Sequence, residues 1–279
     1  MKYEIRELSI GGILDQAIQL TRNHFGAFFA VVAVTLLPVG LIQAGVNIAI
    51  MPQDMPLIPT PEEAMAIQKA QLENLPIIIG IGLLALMALP IANAALVRIV
   101  ANSYLGRNTS TGDAIGSAFG LIIPLYWTWF LLTIAVTGGM ILCIVPGIIA
   151  AFWFSLATQV VVVERVNGID ALKRSRELMR GNIGTVFVLG LVLGMISTGM
   201  QVGALLIPQV HAQGLATVLV NCVFTVFSSA AMVVFYFSCR CRNEQFDLQL
   251  LAQNVAGETP GDGGSAGGVS PDSDENPFM

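Results

Sequence analysis

Charge is scarce in this chain: Asp, Glu, Lys and Arg make up 11% of its 279 residues, where a soluble domain carries about 25%. A water-facing surface for a chain this long cannot be built from so few charges. A membrane removes the contradiction, because most of the surface then faces lipid. The 55% hydrophobic content and the mean hydropathy of +0.76 agree with that reading. Histidine is scarcer still, with His24 and His211 alone, and the topology below puts them on opposite sides of the membrane. No Ser or Cys nucleophile has a neighbouring base, no glycine loop is built to cradle a phosphate, and carboxylates do not converge. Acid–base, nucleophilic and metal-assisted hydrolysis all need such groupings, so the chain reads as non-enzymatic, without cofactor or metal. Basic patches with interleaved aromatics are also missing, which excludes nucleic acid as a partner.

The four cysteines do not form a disulfide framework. Cys143 and Cys222 lie in apolar segments, where a thiol behaves as a small hydrophobe. Cys239 and Cys241 follow the last apolar run among arginines, on the side assigned below to the reducing cytoplasm. A cleavable signal peptide is not expected, because the first apolar run extends over 27–50 and is long enough to span a bilayer.

What the chain has in quantity is long apolar runs. Spanning needs roughly 20 apolar residues, and six candidates stand at 27–50, 75–97, 121–142, 147–163, 183–207 and 215–237. None carries an Asp, Glu, Lys or Arg in its interior. Stops at Gly138-Gly139 and Pro146-Gly147 divide the third run from the fourth and predict a tight antiparallel hairpin. The expected fold is all-α and polytopic. Residues 1–251 form the membrane domain, and 252–279, rich in Gly, Ser and Asp, form a disordered acidic cytoplasmic tail.

Orientation follows from the positive-inside rule. Twelve of the 13 Lys and Arg fall in the N-terminal stretch, the second and fourth loops and the C-terminal flank, against Lys69 alone in the other loops. Both termini are therefore expected in the cytoplasm of a bacterial cell, with the chain in the inner membrane.

The cytoplasmic segments share a pattern of helix cap followed by an amphipathic stretch. Ser9 caps Ile10, Ile13, Leu14, Ala17 and Ile18, with Asp15, Gln16 and Gln19 opposite. Thr111 caps Ala114, Ile115, Ala118 and Phe119. Asn167 or Asp170 caps Ala171, Leu172, Leu178 and Met179, with Lys173, Arg174, Arg176 and Arg180 turned away. Each stretch leads into a span, which suggests a threefold repeat of interfacial helix plus hairpin. Leu14, Leu20, Arg22, Gly26 and Phe29 align with Leu172, Leu178, Arg180, Gly184 and Phe187.

Two groups of residues are candidates for function. Lys173, Arg174, Arg176 and Arg180 are placed to attract anionic lipid headgroups, each cation contributing about 1 kcal/mol; the alternative is that they only set topology. Within the spans, Gln43, Asn47, Asn93 and Gln159, with Gln201 and Asn221, either line a polar path or hydrogen-bond between helices. Gly190, Gly194, Gly199 and Gly203 form small-residue pairs expected to pack against a neighbouring helix.

Three stretches carry a family resemblance: Leu8-Ser9-Ile10-Gly11 running to Arg22-Asn23-His24-Phe25, the turn Val145-Pro146-Gly147-Ile148, and 171–181. With the closing Arg240-Cys241-Arg242 and Glu244-Gln245-Phe246-Asp247-Leu248, residues 5–251 resemble the bacterial glycerophosphoryl diester phosphodiesterase membrane-domain family. Ser238 stands where relatives often carry an Asp. The resemblance implies a six-helix membrane module without the catalytic barrel of the fused members. Such a module is lipid-associated, or anchors another membrane protein. The competing reading is a transporter or channel for an uncharged or lipid-like solute.

Overall fold

The computed structural model describes residues 6–50, 60–107, 109–207, 210–246 and 248. The acidic tail expected at 252–279 lies outside them. Among the described residues every regular element is a helix: α1 (Ile10–Thr35), α2 (Leu37–Ile50), α3 (Pro61–Glu73), α4 (Leu75–Tyr104), α5 (Thr111–Gly120), α6 (Ile122–Leu142), α7 (Ile144–Trp153), α8 (Ala157–Glu164), α9 (Gly168–Leu178), α10 (Ile183–Leu205) and α11 (Val210–Glu244). The chain is an all-α, multi-pass membrane protein. Five stretches are long and apolar enough to cross a bilayer, and the α1–α2 pair, bent by 53°, makes a sixth.

The bend has a local cause. Pro38 stands at the start of α2, where it has no N–H to give and its ring crowds the carbonyl of the preceding turn. A second break falls at His24 (φ −123°) inside α1. The kink divides the first amphipathic stretch, 10–23, from the apolar run that follows it. The other two amphipathic stretches are separate short helices, α5 and α9.

The caps differ in detail from expectation. Ser9 accepts from the Gly12 N–H at 3.3 Å, as expected. Ser110, not Thr111, caps α5 by accepting from the Asp113 N–H at 3.1 Å. Asn167 occupies the cap position of α9 without a side-chain bond. The start of α9 is held instead by the Gly168 N–H, which donates to Thr128 Oγ1 of α6 at 2.8 Å.

The stops also act otherwise than predicted. Gly139 and Gly147 both lie within helices, and the turn between α6 and α7 is the single extended residue Cys143 (φ −170°). The glycines permit close approach: a Cβ on Gly147 would sit 2.7 Å from Met140 N and 2.8 Å from Met140 Cα. The α10 glycines behave in the opposite way. A Cβ on Gly190, Gly194, Gly199 or Gly203 would meet nothing within 4 Å, so the packing within the chain expected there is absent. α10 is packed through Val186, Leu189 and Leu193.

The core gathers at the arginine-bearing end. Ile13, Leu20, Phe28, Val31 and Val32 of α1 meet Ala94–Val100 of α4, Val160–Val162 of α8 and Val233–Phe237 of α11, nearly all with no exposure. Small side chains on α4 let the helices approach closely, which matters where lipid supplies no hydrophobic drive for association. Polar contacts cross the same region. Gln16, expected on the polar face, is buried and accepts from Tyr104 Oη at 2.8 Å. Ser238 Oγ accepts from the Leu8 N–H at 2.9 Å and ties the segment before α1 to α11.

Candidate functional site: a polar cavity and an arginine network

At the end remote from the arginines, α2, α4 and α11 diverge. Gly40 lets α2 meet α11, where an added Cβ would lie 2.9 Å from Val218 Cγ1. Beside this crossing is a cavity of about 720 Å³, within the size range of small-molecule sites. Its polar groups form two rows. Gln43 and Asn47 are one helical turn apart on α2, and Gln213, Thr217, Asn221 and Thr225 repeat every four residues along α11. Residues at that spacing share a helix face. Leu36, Val39, Leu86 and Leu89 supply much of the apolar wall.

Two of the hydroxyls are already committed. Thr217 Oγ1 donates to the Gln213 carbonyl at 2.9 Å and Thr225 Oγ1 to the Asn221 carbonyl at 2.7 Å. The amides are therefore the directional polar groups of the lining. Every polar group here is neutral, so the arrangement suits ester carbonyls and hydroxyls and gives an ion no counter-charge.

The remaining polar candidates are elsewhere. Asn93 is half-buried on α4 and does not line the cavity. Gln159 is buried on α8, its Oε1 without a partner. Gln201 is exposed and bonds Ser197 Oγ at 3.0 Å. Gln43 and Asn47 line the cavity and Asn93 and Gln159 do not, so the four do not share one lining.

The basic helix α9 is not a uniform cationic face. Lys173 is exposed and pairs with Asp170 at 3.3 Å. Arg176 lies 4.3 Å over the Trp153 ring, and Arg180 is exposed. Arg174 turns inward, its Nε donating to Glu164 Oε2 at 2.7 Å and its Nη2 contacting Glu244. Burial works against the charge of Arg174, yet the two carboxylates outweigh it and hold its pKa above the ordinary value. Tyr236 Oη donates to the other Glu164 oxygen at 2.7 Å, and Arg240 Nε bonds Glu244 at 3.0 Å. The network joins α8, α9 and α11, and Arg174 is engaged within it by two carboxylates.

Sequence reasoning found Gln43, Asn47 and Asn221 but missed Gln213, Thr217 and Thr225. The four-residue spacing from Gln213 to Thr225 was the available signal. Among the described residues, no three His, Cys, Asp or Glu converge as a metal-holding group.

The sequence profile of a family described as "Domain of unknown function (DUF8558)" matches residues 114–259. That match takes in the α11 row of the cavity and leaves α2 and α4 outside. A UPF0259 membrane protein of Pectobacterium carotovorum subsp. carotovorum (strain PC1) is 33% identical over 78 residues, covering 28% of this chain and 31% of that protein. The matched region therefore spans less than a third of the relative's length. No solved structure matches. Because the profile covers more than half of its length, the chain belongs to the DUF8558 family.

Proposed function

We propose that this protein is a non-enzymatic, lipid-associated module of the bacterial inner membrane, both termini cytoplasmic, whose outer-half cavity holds one membrane lipid. The observation that carries the proposal is the cavity itself, lined by neutral polar groups and set among lipid-facing side chains. Ile42, Leu83 and Met87 around it are all exposed, so acyl chains reach the opening without crossing water. Two rows of amides and hydroxyls beside an apolar wall match the region of a lipid where ester and hydroxyl groups meet the tails. The resemblance to the diester phosphodiesterase membrane-domain family supports the same reading, as does the absence of converging acids and bases in the sequence.

A transport role would need a polar lining on both sides of the membrane, and the separate positions of Asn93 and Gln159 argue against one.

The test is lipid retention. Gln43→Leu combined with Asn47→Leu keeps bulk and membrane insertion but removes two amides. At about 1 kcal/mol per intramembrane hydrogen bond, the lipid that copurifies through mild detergent should fall roughly 30-fold in affinity. Unchanged lipid content in a correctly inserted variant would remove the cavity from the account.

A further inference from the structure

At the opposite end of the molecule, charge is left over. Glu164 and Glu244 are shared between Arg174 and Arg240, two carboxylates for two guanidiniums. Arg98, Arg107 and Arg165 stand nearby, and among the described residues none has a hydrogen bond or ion pair to a carboxylate. Arg98 is only partly exposed, and Arg165 is close enough to repel it. A partly buried cation ordinarily has a counter-charge. Between these groups is a small cavity of about 30 Å³, lined by Arg98, Arg107 and Arg240, with Asn102 beside them and Phe237 and Phe246 as its apolar wall. Arg240 is held in place there, its Nε on Glu244 at 3.0 Å and its guanidinium 4.3 Å over the Phe246 ring.

We infer that Arg98 and Arg107, backed by Arg240, bind a single phosphate group. Guanidiniums present planar N–H forks that match phosphate oxygens. Room for a water needs about 10–15 Å³, so this space admits a few oxygens of one phosphate and excludes a nucleotide or sugar ring. The site shares no residue with the outer cavity and stands or falls independently of it.

Native mass spectrometry of the full chain in mild detergent tests it, with three probes: phosphatidylglycerol, diacylglycerol with the same tails, and inorganic phosphate as competitor. Wild type should bind phosphatidylglycerol roughly 30-fold more tightly than R98Q/R107Q, at the strength expected for two cations, while diacylglycerol should not distinguish the two. R98K/R107K, which keeps the charge but not the planar fork, should recover only part of the binding. Displacement of phosphatidylglycerol by millimolar inorganic phosphate would assign the site to phosphate from either source. Resistance to displacement would assign it to a headgroup anchored by its tails. If R98Q/R107Q misassembles, the exposed single variant R107Q should still show about a fivefold loss. Equal binding of phosphatidylglycerol by wild type and R98Q/R107Q would overturn the inference.

Discussion

Arg174→Ala is expected to lower the stability of the detergent-solubilised protein by about 2–4 kcal/mol, toward the range for removing one partner of a buried ion pair. The effect is large because Arg174 serves two carboxylates at once. Its side chain is 26% exposed, against 15% for Glu164 and 22% for Glu244, so water can only partly replace it. Without it, two acids face each other, and Tyr236 is left donating to a Glu164 that has lost its cation. Arg174→Lys should recover only part of the loss, since one ammonium cannot reproduce the planar fork that reaches both acids. Combining R174A with E164Q should restore part of the stability, because Glu164 no longer stands charged without a cation while Glu244 keeps Arg240. Equal melting of R174A and wild type would mean that the network contributes nothing.

Gly147→Leu is the second large expectation. Its Cβ would fall on backbone atoms of Met140, at 2.7 and 2.8 Å, and backbone in the facing helix cannot swing aside as a side-chain tip can. The α6–α7 hairpin has one turn residue and no slack. Overpacking of this kind costs about 1–3 kcal/mol. The expected result is a matching loss of thermal stability in detergent, with reduced yield of inserted protein. Gly194→Ala is the control, since nothing lies within 4 Å of its added Cβ, and it should melt as wild type does. If both variants melt alike, the hairpin is looser than its geometry implies.

The spans were legible in the sequence because length and apolar content are enough to specify a helix in lipid. The hairpin was legible too, though its glycines were assigned to the wrong task. A glycine pair signals either a turn or a close approach, and one strand of sequence does not say which. The α10 glycines show the same ambiguity in reverse: their spacing suits packing, yet Leu189 and Leu193 face the bundle in their place. The site was half legible. Gln43 and Asn47 stood out inside an apolar run, but Gln213 fell just before the apparent start of the last span. Asn93 and Gln159 carry the same chemistry and face other surroundings, because the face a residue presents depends on which helices pack, not on its polarity. The Glu164–Arg174–Glu244 network was not legible, since its members come from three elements separated in sequence. Helical segregation of charge on α9 identified Arg174 as outward-facing, and only the position of α8 and α11 turns it inward.

The most direct measurement of the central claim is photocrosslinking with a phospholipid carrying a diazirine in its acyl chain, in proteoliposomes of the full chain. Peptide mapping should find adducts concentrated on 39–48 of α2 and 213–225 of α11. In Q43L/N47L these should fall roughly 30-fold, with the loss of two hydrogen bonds of about 1 kcal/mol each as the cause. Adducts on the exposed α10 face at Phe187, Leu191 and Met195 should stay as in wild type. Adducts spread evenly over every lipid-facing helix, and unchanged by the variant, would contradict a lipid held in the cavity.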